Sequence, residues 1–124
     1  MSDYREDIID RLADTFTAHP QVRQGKMFGH PGFGINGRFF CMAYADGLTL
    51  KLSPSDYKQA MELPESEAFS PRGTPMGTWV TLSFPDAEDY IANWSWIEKA
   101  MDYIITDEAA PPKKSKKKST GSKN

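Results

Sequence analysis

The stretch from Lys26 to Leu52, KMFGHPGFGINGRFFCMAYADGLTLKL, constrains the fold more than any other part of the chain. Asn36-Gly37 is a pair that accepts positive φ at both central positions of a type I′ hairpin turn, and apolar residues alternate around it. Phe33 and Ile35 lead into the turn, and Arg38 to Tyr44 follows as a second strand. Asp46-Gly47 reads as the next turn. Leu48, Leu50 and Leu52 then alternate with Thr49, Lys51 and Ser53, giving a third strand with one wet face. The expected first strand begins at Met27-Phe28 and is interrupted around Gly29-His30-Pro31-Gly32, residues that do not suit a regular central strand. The second strand is apolar on both faces, with Phe39, Cys41 and Ala43 set against Phe40, Met42 and Tyr44. It should therefore be covered on both sides or lie at an interface.

Helices flank this meander. Over residues 3–18, Tyr4, Ile8, Leu12 and Phe16 recur every four positions, with Ile9 widening the stripe and charged residues opposite. Asp3 and Glu6 have capping-box spacing, and His19-Pro20 stops the helix. Ser53-Pro54-Ser55-Asp56 starts a second, short helix that ends by Leu63-Pro64 and buries Tyr57, Ala60 and Met61. Residues 64–77 are rich in proline and glycine, with Ala68-Phe69 as a short edge strand, and Thr78 to Phe84 is a further strand. Pro85-Asp86 opens a last helix with Tyr90, Trp94, Ile97, Met101 and Ile104 or Ile105 as its core stripe. Trp96, Ala100 and Tyr103 lie on an adjoining face, and Trp96 and Tyr103 are candidates for a protein interface. The expected class is α+β, a single domain over 1–108 followed by a lysine-rich tail over 109–124.

Charge divides the chain in the same place. Of 15 basic residues, Lys113, Lys114, Lys116, Lys117, Lys118 and Lys123 lie in the tail, while all 17 acidic residues lie at or before Glu108. The body thus carries nine positive and 17 negative charges, a net of −8. Such a body repels phosphate backbones on average, so nucleic-acid contact needs a local patch or the tail. From Pro111 onward no apolar residue is available to bury, and disorder is expected. Without interleaved aromatics the tail offers no stacking platform, only salt-dependent affinity through Lys113, Lys114, Lys116, Lys117 and Lys118. In the body, Arg23, Lys26, Arg38 and Arg72 adjoin the glycine-rich turns and are the candidate anion contacts. The charged N-terminus lacks the apolar run of a secretory leader, and no stretch approaches the length of a membrane span. One cysteine permits no internal disulfide, and a cytoplasmic protein is expected.

Gly32-Phe33-Gly34-Ile35-Asn36-Gly37 matches G-x-G-x-x-G. A dinucleotide loop needs a helix after its last glycine, whereas Gly37 leads into strand, so the match reads as turn geometry. The kinase glycine loop does lie between strands, with Lys51 following, but the His-Arg-Asp and Asp-Phe-Gly motifs are missing. His19 and His30 each adjoin a proline and have no metal-ligand spacing. Cys41, amid aromatics in a strand, reads as a small buried hydrophobe. Asn93-Trp94-Ser95 matches the glycosylation sequon but falls inside a helix. No catalytic, cofactor-binding or metal-ligating set is expected.

Arg23-x-x-Lys26-Met27-Phe28-Gly29, then the glycine-aromatic-glycine segment, Gly37-Arg38-Phe39-Phe40 and Leu48-Thr49-Leu50-Lys51-Leu52 resemble the TfoX N-terminal-domain family over about residues 4–105. Phe69 and Trp79-Val80-Thr81-Leu82 also resemble the related YjbR-like proteins. The resemblance implies a two-layer α-β(3)-α-β(2)-α fold with one antiparallel sheet packed against helices. It brings no catalytic residues. Competence regulators of that family carry a helical second domain, in whose place a lysine tail is expected here. A small regulatory binding module, in transcription or competence-type control, is therefore expected, with a protein partner or weak nucleic-acid contact. The alternatives are a chaperone-like or homodimerising domain, and a nucleotide binder using the glycine-rich hairpin.

Overall fold

The computed structural model describes residues 4–109. Four helices pack on one face of a six-stranded antiparallel sheet, an α+β arrangement. The chain runs α1 (Glu6–Phe16), β1 (Val22–Met27), β2 (His30–Ile35), β3 (Arg38–Tyr44), β4 (Gly47–Lys51), α2 (Pro54–Ala60), β5 (Ser66–Ala68), β6 (Trp79–Leu82), α3 (Ala87–Ala92) and α4 (Trp94–Ala109). Spatial order in the sheet is β1-β2-β3-β4-β6-β5.

The helices form for the reasons their sequences suggest. Ile8, Ile9, Leu12 and Phe16 give α1 its buried stripe. Asp3, the expected cap, lies outside the described residues, and Arg5 occupies the N-cap position without a side-chain cap bond. Arg5 acts instead as a clamp. Its Nη1 donates to the carbonyls of Phe84 at 2.7 Å and Asp46 at 3.3 Å, and its Nη2 to that of Pro85 at 2.8 Å. The start of the chain is thereby tied to the β3–β4 turn and to the exit from β6. Ser53 Oγ accepts the Asp56 N–H at 3.2 Å, with Pro54 opening α2 as expected. Met61 emerges exposed rather than buried, because α2 ends at Ala60. The single last helix is in fact two. Asn93 leaves the helical region, with φ −110° and ψ 37°, and ends α3 there; its Nδ2 donates to the Asp89 carbonyl at 2.8 Å beside its own backbone N–H. After that break Trp94 turns onto Phe16, ring centroids 5.3 Å apart.

The meander has four strands, not three. Phe28-Gly29 is itself a two-residue hairpin turn, both residues having positive φ, and β1 pairs with β2 from Met27↔His30 to Val22↔Ile35. The interruption expected at Gly29-His30-Pro31-Gly32 is thus a turn followed directly by strand, with β3 pairing only from Gly32 onward. A second departure lies in β3. Phe33 faces Cys41 while Gly34 faces Phe39, so Phe40 is an extra residue, a β-bulge. The bulge turns Phe40, Cys41 and Ala43 toward the helices and Phe39, Met42 and Tyr44 to the other face. Strict alternation had grouped Phe39 with Cys41 and Phe40 with Met42.

Gly32 and Gly34 allow this close β2–β3 approach. A Cβ on Gly32 would lie 2.5 Å from the Cys41 carbonyl oxygen, and one on Gly34 would lie 2.7 Å from that of Arg38. Of the glycines in the G-x-G-x-x-G match, only Gly37 shapes a turn. The main core gathers Leu48, Leu50, Leu52, Val80 and Leu82 from the sheet against the helices. Among the described residues no helix is long and apolar enough to cross a membrane.

Candidate functional site

Among the described residues no helix covers the second face of the sheet. Along it run Arg23, Gly25 and Met27 of β1, Gly32 and Gly34 of β2, Phe39, Met42 and Tyr44 of β3, Thr49 and Lys51 of β4, and Trp79 and Thr81 of β6. Thr49 and Thr81 are buried there and share a hydrogen bond of 2.7 Å between their hydroxyls. The roof is the segment after β5. Phe69, 1% exposed, packs with Met42 and Trp79 in a second small core that Met27, Phe39, Tyr44 and Met76 border. Phe69 N–H donates to the Trp79 carbonyl and Met76 N–H to that of Phe69, which fixes the intervening loop over the sheet. The doubly apolar β3 is therefore covered on both sides within one chain.

Where this roof meets the β1–β2 hairpin, one residue departs from what folding alone would favour. The turns Phe28-Gly29 and Asn36-Gly37 have nearly the same backbone, φ 55° and 78° against 53° and 82°. Asparagine tolerates the left-handed region because its short side chain bonds locally. Phenylalanine does not, and the conformation costs it about 1–2 kcal/mol. Phe28 also leaves 56% of its surface exposed. Its ring centroid lies 6.1 Å from that of Phe69, the two rings being tilted by 45°.

His30 steadies this tip. The Phe28 carbonyl can only accept, so His30 Nδ1 carries the hydrogen and donates across 2.9 Å. The His30 ring is in turn set between Tyr4 and Tyr44, at 6.2 and 5.0 Å. Beside Phe28 opens a groove of about 450 Å³, lined by Phe28, Pro71, Arg72, Thr74, Pro75 and Met76. The lining is apolar apart from Thr74 and Arg72, and it contains no acidic residue. Arg72 is exposed and makes no ion pair or hydrogen bond with any described residue. Arg5 and Arg11, by contrast, are both paired with carboxylates.

The four basic residues singled out in the sequence do not share one groove. Arg72 lines the groove at Phe28, and Arg23 lines another with Gly25, Gly34, Gly37 and Phe39. Lys26, opposite Pro31, points to the helix side of β1, away from Arg23. Arg38, opposite Ile35, likewise lies on the helix side. Lys113, Lys114, Lys116, Lys117 and Lys118 lie outside the described residues. Trp96 is half-buried against the main core, with Lys99 Nζ 5.5 Å from its ring centroid. That lysine also reaches Asp56 at 3.8 Å, and Tyr103 lines a shallow groove beside the pair.

His19 packs on Phe16 and Trp94 as part of an aromatic cluster. Among the described residues no group of three or more His, Cys, Asp or Glu is placed to hold a metal ion. Cys41 is completely buried, and burial pushes its thiol well up from the ordinary value. It should accordingly fail to react with Ellman's reagent in the folded protein and react fully in 6 M guanidinium. Rapid modification of the native state would show that β3 opens.

Phe28, expected at the start of a strand, lies instead in the β1–β2 turn. The available signal was Phe-Gly standing eight residues before Asn-Gly in the same structural role. Comparison with protein families, with curated proteins and with solved structures yields no match to the chain.

Proposed function

We propose that this chain is a small regulatory binding module, acting without catalysis by presenting the Phe28 tip and the 70–77 loop to another protein. The resemblance of Met27-Phe28-Gly29 and the following hairpins to the TfoX N-terminal domain supports the module class. The observation that carries the choice of surface is Phe28 itself. It is a large aromatic that is exposed and also held in a conformation unfavourable to it, and that conformation lowers stability. Strain of this kind persists where a site needs it. Exposed aromatics beside a preformed groove are the usual anchors of protein recognition. The surrounding prolines Pro71 and Pro75 limit the ordering that binding would require.

A protein partner is favoured over nucleic acid because the body carries a net charge of −8 and because Arg23 and Arg72 line separate grooves. The test is selection from a phage-displayed library of random dodecapeptides, run in parallel on wild type and Phe28→Asn. Wild type should enrich a related set of peptides, and Phe28→Asn should bind them at least tenfold more weakly. Equal enrichment by both proteins, or none by either, would remove this surface as the binding site.

A further inference from the structure

Resting on that reading, we infer that the groove beside Phe28 takes an extended peptide segment in which a carboxylate lies next to a large apolar side chain. The apolar residue occupies the space between Phe28, Pro75 and Met76, and the carboxylate pairs with Arg72. Charge complementarity selects this occupant. Arg72 is a lone cation in a groove with no acidic residue, on a body with almost twice as many negative as positive charges. No described residue pairs with it. The planar guanidinium suits two-point contact with a carboxylate, and apolar walls reduce the competition from water.

A polyanion would gain the same single contact but would meet the repulsion of the whole acidic body. The volume of about 450 Å³ accepts two or three side chains, which matches a short linear segment rather than a folded domain.

The test starts from the dodecapeptides that wild type enriches, with binding read by fluorescence anisotropy of synthetic labelled peptides. Arg72→Gln should retain the melting temperature of wild type, since Arg72 is exposed and makes no bond to a described residue. The enriched peptides should carry Asp or Glu within two residues of Leu, Met or an aromatic. Arg72→Gln should weaken them about tenfold. Replacing the peptide's acid with its amide should weaken wild-type binding equally, and should cause no further loss with Arg72→Gln. The lysine run at 113–118 is present in every variant, so any attraction it exerts on acids cancels in the comparison.

Peptides that depend on Phe28 but lack an acid, or that bind Arg72→Gln as well as wild type, would overturn this inference and leave the proposed surface standing. A labelled single-stranded oligonucleotide that binds through Arg72, with no peptide enriched, would overturn both.

Discussion

Gly47→Ala is expected to lower the unfolding free energy by about 3 kcal/mol, measured by urea denaturation. The sequence suggests that Gly47 serves a turn, in which case alanine would cost only the strain of a left-handed residue. The structure gives it another role. The turn residues are Ala45 and Asp46, of which Ala45 has positive φ, and Gly47 is the first residue of β4, opposite Tyr44. It is buried, and its φ is not positive. A Cβ there would collide with the Leu82 carbonyl oxygen and lie 2.7 Å from Ser83 Oγ. Relief requires β6 to move, although β6 is held by β4 on one side and β5 on the other, and it carries Val80 and Leu82 into the main core. Gly37→Ala is the natural comparison. It has positive φ but open space around it, so the loss should be about 1 kcal/mol. Equal losses at the two positions would contradict the close approach of β4 and β6.

Phe69→Ala is expected to destabilise by about 3–4 kcal/mol, and to abolish peptide binding at the Phe28 groove as well. Phe69 is the centre of the second core, fully covered, and perpendicular to Tyr44 with centroids 5.0 Å apart. Truncation leaves a hole between Met42 and Trp79 that the rigid sheet cannot close. It also removes the surface on which Phe28 rests and the anchor of the loop carrying Arg72. The check is urea denaturation together with anisotropy of a peptide selected by wild type. A loss below 1 kcal/mol would mean that the open face of the sheet has no core of its own.

These two residues mark how far the sequence can be read. The α1 stripe, the Ser53 cap and the alternation of Leu48, Leu50 and Leu52 are local patterns that appear in the fold, but the edge strand expected at Ala68-Phe69 forms instead over Ser66–Ala68, and the face of β4 expected to be wet buries Thr49. The antiparallel α+β class follows from them. Strand β1 was illegible because an edge strand buries little. Of Val22 to Met27 only the two ends are apolar, and Gly25 is small because the Phe39 ring lies over it. The bulge at Phe40 depends on the pairing partner in β2, which no alternation along β3 can reveal. Likewise Gly47 is explained by a strand 35 residues away, and the helix break at Asn93 lies in a backbone conformation that no apolar periodicity marks. The site was legible only in part. Arg72 stood out through its charge, but its aromatic neighbour Phe28 gains meaning only when its φ and its exposure are known together.

The reading of Phe28 as a residue kept for binding rather than for folding is tested most directly by the unfolding free energy of Phe28→Asn, from urea denaturation at fixed pH and salt. Asparagine should occupy the left-handed turn as Asn36 does, at the loss of a partial contact with Phe69. The variant is therefore expected to match wild type or to exceed it by up to about 1 kcal/mol. A loss greater than about 1 kcal/mol would make Phe28 a folding residue and contradict a binding site at this tip.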